Sequence, residues 1–148
     1  MINKSNIVHI GKGKSTLTKI PKPPTYLSNS AKKHYREMAS KLIKLERLKD
    51  VFLNALEIYA EAMATWEWAA RERKEKNNED PGTGHIQTYR TGATNLSTEL
   101  IVMRDSEKTL FKCFKQFGLD PKSEKELKTT VDPDQIDLFE SFINKKNA

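Results

Sequence analysis

A single cysteine, Cys113, stands among 148 residues, so no internal disulfide can form and nothing points to an oxidising compartment. No stretch approaches the ~20 apolar residues of a membrane span. The N-terminal run MINKSNIVHIGKGKS also lacks an apolar core of signal-peptide length, which predicts a soluble, intracellular protein with no membrane partner. Glycine and proline number six each, and neither occurs from Thr25 through Asp80, a silence that suits long helices. Hydrophobic residues make up 36% and charged residues 31%, so much helix surface must face solvent. The length fits one domain with tails.

Acidic residues are missing from the start of the chain. Residues 1–36 hold no Asp or Glu but eight basic residues, Lys4, Lys12, Lys14, Lys19, Lys22, Lys32, Lys33 and Arg36. The whole chain carries +6, so the remainder carries −2. A basic arm ahead of a nearly neutral body is the pattern of a segment that holds phosphates and releases counterions, although a solubilising tail has the same charge. Residues 1–27 include two Gly and three Pro and end in KIPKPPTYL, which favours extended backbone and predicts a flexible arm.

The first helix is predicted from an N-cap at Ser28 to about Leu45, with Ala31, Tyr35, Met38, Leu42 and Leu45 on one face. A second stripe, Lys33, Arg36, Ser40, Lys44 and Arg47, is basic and follows directly on the arm. The second helix is predicted from about Asp50 to Lys76. Phe52, Leu56, Tyr59, Met63, Trp66 and Ala70 recur at heptad spacing beside a stripe of smaller residues, Val51, Ala55, Ile58, Ala62 and Ala69. Such a pair of stripes serves either one wide core or a core plus a second subunit. After RERKEKNNED, the Gly- and Thr-rich PGTGHIQTYRTGATN predicts a hairpin or irregular connection. The third helix is predicted over Thr94–Phe117, with Leu96, Leu100, Met103, Leu110, Phe114 and Phe117 as its stripe and Gly118 as its C′ stop. Asp120 and Pro121 begin a short helix to about Leu127. The fold class is thus all-α, mainly helical, with antiparallel long helices and a short β-hairpin or irregular connection. Its parts are an arm at 1–27, a helical body at 28–128 and an acidic tail at 129–148.

No catalytic or metal-binding set assembles, which predicts a protein without enzymatic activity or cofactor. GKGKST at 11–16 resembles the end of a phosphate-binding loop, but the pattern requires glycine where Val8 stands, and TLTKIPKPP cannot continue as the helix that would meet the anion. His9, His34 and His85 are far apart and lack ligand spacing. Cys113, beside Phe114, reads as a small core residue.

Taken in order, PKPPTYLSNSAKKHYREMASKLIKLERL, YAEAMATWEWAA, the Thr- and Gly-rich connection and KTLFKCFKQFGLDPKSEKEL resemble the small terminase subunits of tailed phages. The resemblance spans roughly residues 20–127. It rests on Pro23, Pro24, Leu27 and Ser28, on the spacing of Tyr59, Ala60, Ala62 and Trp66, and on Phe117-Gly118-Leu119-Asp120-Pro121. It departs from the family pattern at Gly92-Ala93-Thr94-Asn95, where Asn-Pro is expected, and at Glu124 and Lys125, where many relatives are Arg-rich.

The resemblance implies a homo-oligomeric ring in the host cytoplasm that recognises double-stranded viral DNA. It also implies that the ring recruits and regulates the large terminase subunit, an ATPase and nuclease, for genome packaging into the procapsid. Phe52, Leu56, Tyr59, Met63, Trp66 and Trp68 are the oligomerisation candidates, because Trp66 and Trp68 point about 200° apart and can face core and neighbour respectively. Lys12, Lys14, Lys19, Lys22, Lys33, Arg36, Lys44 and Arg47 are the DNA-binding candidates. Val131–Asn144 carries Asp132, Asp134, Asp137 and Glu140 with no basic residue. Ile136, Phe139, Phe142 and Ile143 give that tail an aromatic face, either for docking to the large subunit or for packing on the ring. A helical transcription regulator or nucleoid-type protein is the alternative reading, disfavoured because LERLKD between the first two helices is no compact glycine turn.

Overall fold

A computed structural model describes residues 16–129. Helix α1 (Asn29–Lys44) begins where Ser28, in extended backbone, lets its Oγ accept the Ala31 N–H at 3.1 Å. Ala31, Tyr35, Met38 and Leu42 form its buried face, whereas Leu45, expected to continue that face, is exposed because the helix ends before it. The turn is made without glycine. Glu46 takes φ 54°, and the Glu46 and Arg47 amides donate to the Ile43 and Leu42 carbonyls. This left-handed residue buries Leu48 and sends the chain back.

A single 3-10 turn, Asp50–Phe52, opens helix α2 (Leu53–Glu79), so the helix proper starts three residues later and ends three residues later than predicted. α2 is the central element and packs against both α1 and α3 (Thr98–Gln116). Four pairs show that α2 and α3 are antiparallel: Lys76 meets Glu99, Trp66 meets Glu107, Ala55 meets Cys113, and Phe52 meets Phe117. α1 also runs against α2, since His34 lies beside Glu67 while the far end of α1 turns straight into the start of α2.

Thr94–Leu96 is not the first turn of the third helix but strand β2, paired antiparallel with β1 (Ile86–Thr88) so that Ile86 faces Leu96 and Thr88 faces Thr94. Leu96 therefore leaves the helical stripe and is exposed. Ser97 decides the boundary, because its Oγ accepts the Leu100 N–H at 3.2 Å as N-cap and donates to the Gly84 carbonyl at 2.8 Å. Gly84 is itself held against α2, where Asn77 Oδ1 accepts its N–H at 3.0 Å. A Cβ there would stand 2.4 Å from the Arg73 carbonyl oxygen.

The core gathers Leu27, Tyr35, Met38, Leu42, Leu48, Leu56, Tyr59, Leu110 and Phe117. Tyr59 packs on Phe114 and Phe117 with ring centroids 5.9 and 6.2 Å apart, and Phe52 closes the group edge-on to Phe117 at 6.4 Å. Gly118, at φ 68°, ends α3 as expected, and Asp120 Oδ1 accepts the Lys122 and Ser123 amides to start α4 (Pro121–Thr129). Residues 16–27, assigned from sequence to a flexible arm, are tied to the body. Thr16 bridges Lys49, the Leu17 amide donates to the Leu48 carbonyl at 2.7 Å, and Leu27 is buried. Leu17 and Leu27 supply apolar surface that offsets the cost of ordering this stretch.

Candidate nucleic-acid interface

α1 turns Ala31, His34, Tyr35, Met38 and Leu42 inward, so the helical period puts Lys33, Arg36 and Lys44 on the opposite, solvent-facing side. All three are exposed, as is Lys41 in the same helix, which the sequence reading did not single out. Glu37 interrupts the row and lies 3.8 Å from His34 Nδ1, while His34 Nε2 lies 3.0 Å from Glu67. Lys19 and Lys22 are also exposed, ahead of α1. Lys12 and Lys14 lie outside the described residues.

Arg47 is placed differently from the rest of its predicted stripe. It is half-buried, and its Nη1 donates to the Gly118 carbonyl at 2.7 Å. The C-terminal carbonyls of a helix carry partial negative charge and lack intrahelical donors, so a guanidinium beside the end of α3 satisfies both needs. Arg47 thus joins the α1–α2 turn to the end of α3.

A second basic surface escaped the sequence reading. Arg104, Lys108, Lys112 and Lys115 are all exposed on α3, where spacings of four, four and three bring them to one side of the helix. Lys108 pairs with Asp105 at 3.0 Å. Their periodicity was the available signal, but mixed charge along a helix ordinarily means only a solvated face. This row also differs from that of α1 in carrying Phe111, which is 70% exposed, and Ile101.

The oligomerisation candidates divide by location. Leu56 and Tyr59 are buried within the chain, and Phe52 and Met63 pack against the same core. Trp66 is half-buried and its Nε1 donates to Glu107 Oε1 at 3.1 Å, which accounts for an acid set within the α3 stripe. Trp68 projects outward with 46% exposure. Ile136, Phe139, Phe142 and Ile143 lie outside the described residues.

The remaining polar groups act within the fold. Lys76 Nζ bonds Glu99 Oε1 at 2.7 Å and holds that carboxyl below the usual carboxylate range. The Ser123 hydrogen bond does the same for Asp120. Burial raises the Cys113 thiol, consistent with a core position. No helix begins within residues 16–28, where a phosphate-binding loop at GKGKST would need one. Among the described residues no group of three or more His, Cys, Asp or Glu can hold a metal ion, and no helix is long and apolar enough to cross a membrane.

Comparison with curated proteins and with solved structures finds no match. The family model described as phage terminase, small subunit, matches residues 31–134, a span that takes in α1 from Ala31 onward, α2, the hairpin, α3 and α4. That span covers well over half of the chain. The chain therefore belongs to the phage terminase small-subunit family.

Proposed function

We propose that this small subunit recognises double-stranded viral DNA as a closed homo-oligomer and recruits and regulates the large terminase subunit for packaging, without catalysing a reaction itself. The observation that carries the DNA-binding reading is the outward row Lys33, Arg36 and Lys44 on α1, next to the exposed Lys19 and Lys22. Lys12 and Lys14 extend the set by sequence. A few cations per subunit give weak, sequence-tolerant phosphate contacts, and repetition around a ring raises the effective concentration of each. The acidic tail, with Ile136, Phe139, Phe142 and Ile143, is the docking segment for the large subunit in this reading. Its charge keeps it off the DNA that the basic surfaces attract.

The test is fluorescence anisotropy with a duplex of arbitrary sequence across a salt series. Replacing Lys33, Arg36 and Lys44 with Ala should weaken binding and reduce the slope of log K against log[salt] by roughly one for each phosphate no longer neutralised. Unchanged affinity and slope would remove α1 from the interface. Cutting after Thr130 should abolish stimulation of large-subunit ATPase while leaving the oligomer intact, and unchanged stimulation would remove the tail from that role.

A further inference from the structure

The α2–α3 pair carries two unlike surfaces on opposite sides. On one side, Tyr26, Ile58, Ala62 and Val102 line an open groove of about 540 Å³. Ile58 is 55% exposed there and Tyr26 is 70% exposed, large apolar surfaces left to water in a single chain. Glu57 and Glu61 also line the groove and make its rim acidic, while Asp105 beside them is paired with Lys108 of its own chain at 3.0 Å. On the other side stands Phe111, backed edge-on by Phe114 at 6.2 Å and bordered by Met63 and Trp66. Lys108 lies three residues before Phe111 and Lys115 four after, so both share its side of the helix, and Arg104 follows the same line two turns back. Val102 and Phe111 are nine residues apart, which on an α-helix is about 900°, or half a turn from alignment.

We infer that Phe111 of one chain seats in the Tyr26–Ile58–Val102 groove of the next, with Arg104 and Lys115 meeting the Glu57 and Glu61 rim. The occupant is a second copy of this chain, because the chain itself carries the complement in shape, polarity and charge. Patches on opposite sides of one helix pair cannot satisfy each other across a single two-fold axis. Each chain offers its aromatic knob to one neighbour and its groove to the other, the head-to-tail arrangement that closes into a ring when the rotation permits. A nucleic acid would engage the cations around Phe111 but would leave the acid-rimmed apolar groove uncovered and would be repelled from it. The acidic tail is likewise excluded from the groove by charge. This inference rests on the ring reading above and adds the contact that builds the ring.

The experiment is native mass spectrometry of the full chain, with circular dichroism to verify helix content. Two double variants are compared, Glu57→Lys with Glu61→Lys in the groove, and Arg104→Glu with Lys115→Glu beside the knob. Each alone should lose the high-mass species and fall to monomers or short oligomers. Mixed in equal amounts they should recover it, because the exchanged charges face one another again. Phe111→Glu, at an exposed position that does not threaten folding, should also lose the high mass. If all three variants keep the wild-type mass, the contact is elsewhere and the ring reading survives. A wild-type chain that is monomeric at micromolar concentration overturns the ring reading itself. Retained mass with lost DNA binding in the Arg104→Glu, Lys115→Glu variant would assign the knob to DNA and overturn the inference. Loss of mass on cutting after Thr130, with Phe111→Glu silent, would make the tail the element that joins the subunits.

Discussion

The two ends of the α2–α3 pair are held together by different physics. Near the start of α2 and the end of α3, Phe52, Leu56, Tyr59, Phe114 and Phe117 form an aromatic and aliphatic core. At the other end, the pair is fastened by Lys76 to Glu99, by Asn77 to Gly82 and Gly84, and by Ser97 to Gly84. Apolar burial depends on area removed from water and is indifferent to pH, whereas the polar end depends on a few directed bonds and on the charge of one carboxylate. The first end supplies most of the cohesion, and the second sets where α2 stops, where the hairpin begins and where α3 starts.

The aromatic end is the more sensitive to truncation of a single side chain. Phe117→Ala should destabilise the chain by about 3–5 kcal/mol, since the ring is 2% exposed and touches both Tyr59 and Phe52. Urea unfolding monitored by circular dichroism measures it, and a loss below about 1 kcal/mol would mean that the site collapses around the gap. At the polar end, Gly84→Ala forces a Cβ against the Arg73 backbone and should cost about 1–3 kcal/mol, with the loss seen first as faster amide exchange in the hairpin. Protection in residues 86–96 equal to wild type would show that the junction can shift without cost.

Removing the charged partner tests the pH side of the contrast. Glu99 is 7% exposed, and its other oxygen, Oε2, has no hydrogen-bond partner, so Lys76→Met should cost about 1–3 kcal/mol at neutral pH. The folded carboxyl titrates below its ordinary value, about 4.3 in an unfolded chain. Its contribution is therefore present above that unfolded value and lost as pH falls through the folded one. The wild-type advantage over Lys76→Met, measured as a difference in Tm, should shrink as pH falls below about 4.3 and through the lower folded value. A constant difference across that range would assign Lys76 to packing alone. Ser97→Ala removes both the cap on Leu100 and the bond to the Gly84 carbonyl and should cost about 1–3 kcal/mol, with melting confined to the first turn of α3 and the hairpin.

Much of the helical body was readable because its signals are local and redundant. Ser28 caps α1, Gly118 takes the left-handed backbone that ends α3, and Asp120-Pro121 starts α4, each by chemistry that acts over a few residues. The start of α3 was misread because Thr94–Leu96 continues a helix-like spacing into Leu100. Only its pairing with Ile86–Thr88, through residues distant in sequence, makes it a strand. The turn after α1 lies where LERLKD separates the first two helices in the sequence, but nothing local marks Glu46, rather than a glycine, as the residue that takes a positive φ. In the candidate interface, Lys33, Arg36 and Lys44 were legible from helical period, because inward apolar residues fix which side faces water.

By itself the sequence determined the helical class, the order of the elements, the caps, the apolar faces and the family likeness, since all of these follow from periodicity and short-range bonding. Tertiary structure decided which equivalent side chains serve which purpose. Arg47 and Lys44 read alike in the chain, yet one donates to the end of α3 and the other faces solvent. Phe111 and Phe114 stand three residues apart with the same chemistry, yet one is exposed and the other packs on Tyr59. The reason is geometric: a helix assigns each residue a direction, but what lies in that direction depends on how neighbouring helices are placed.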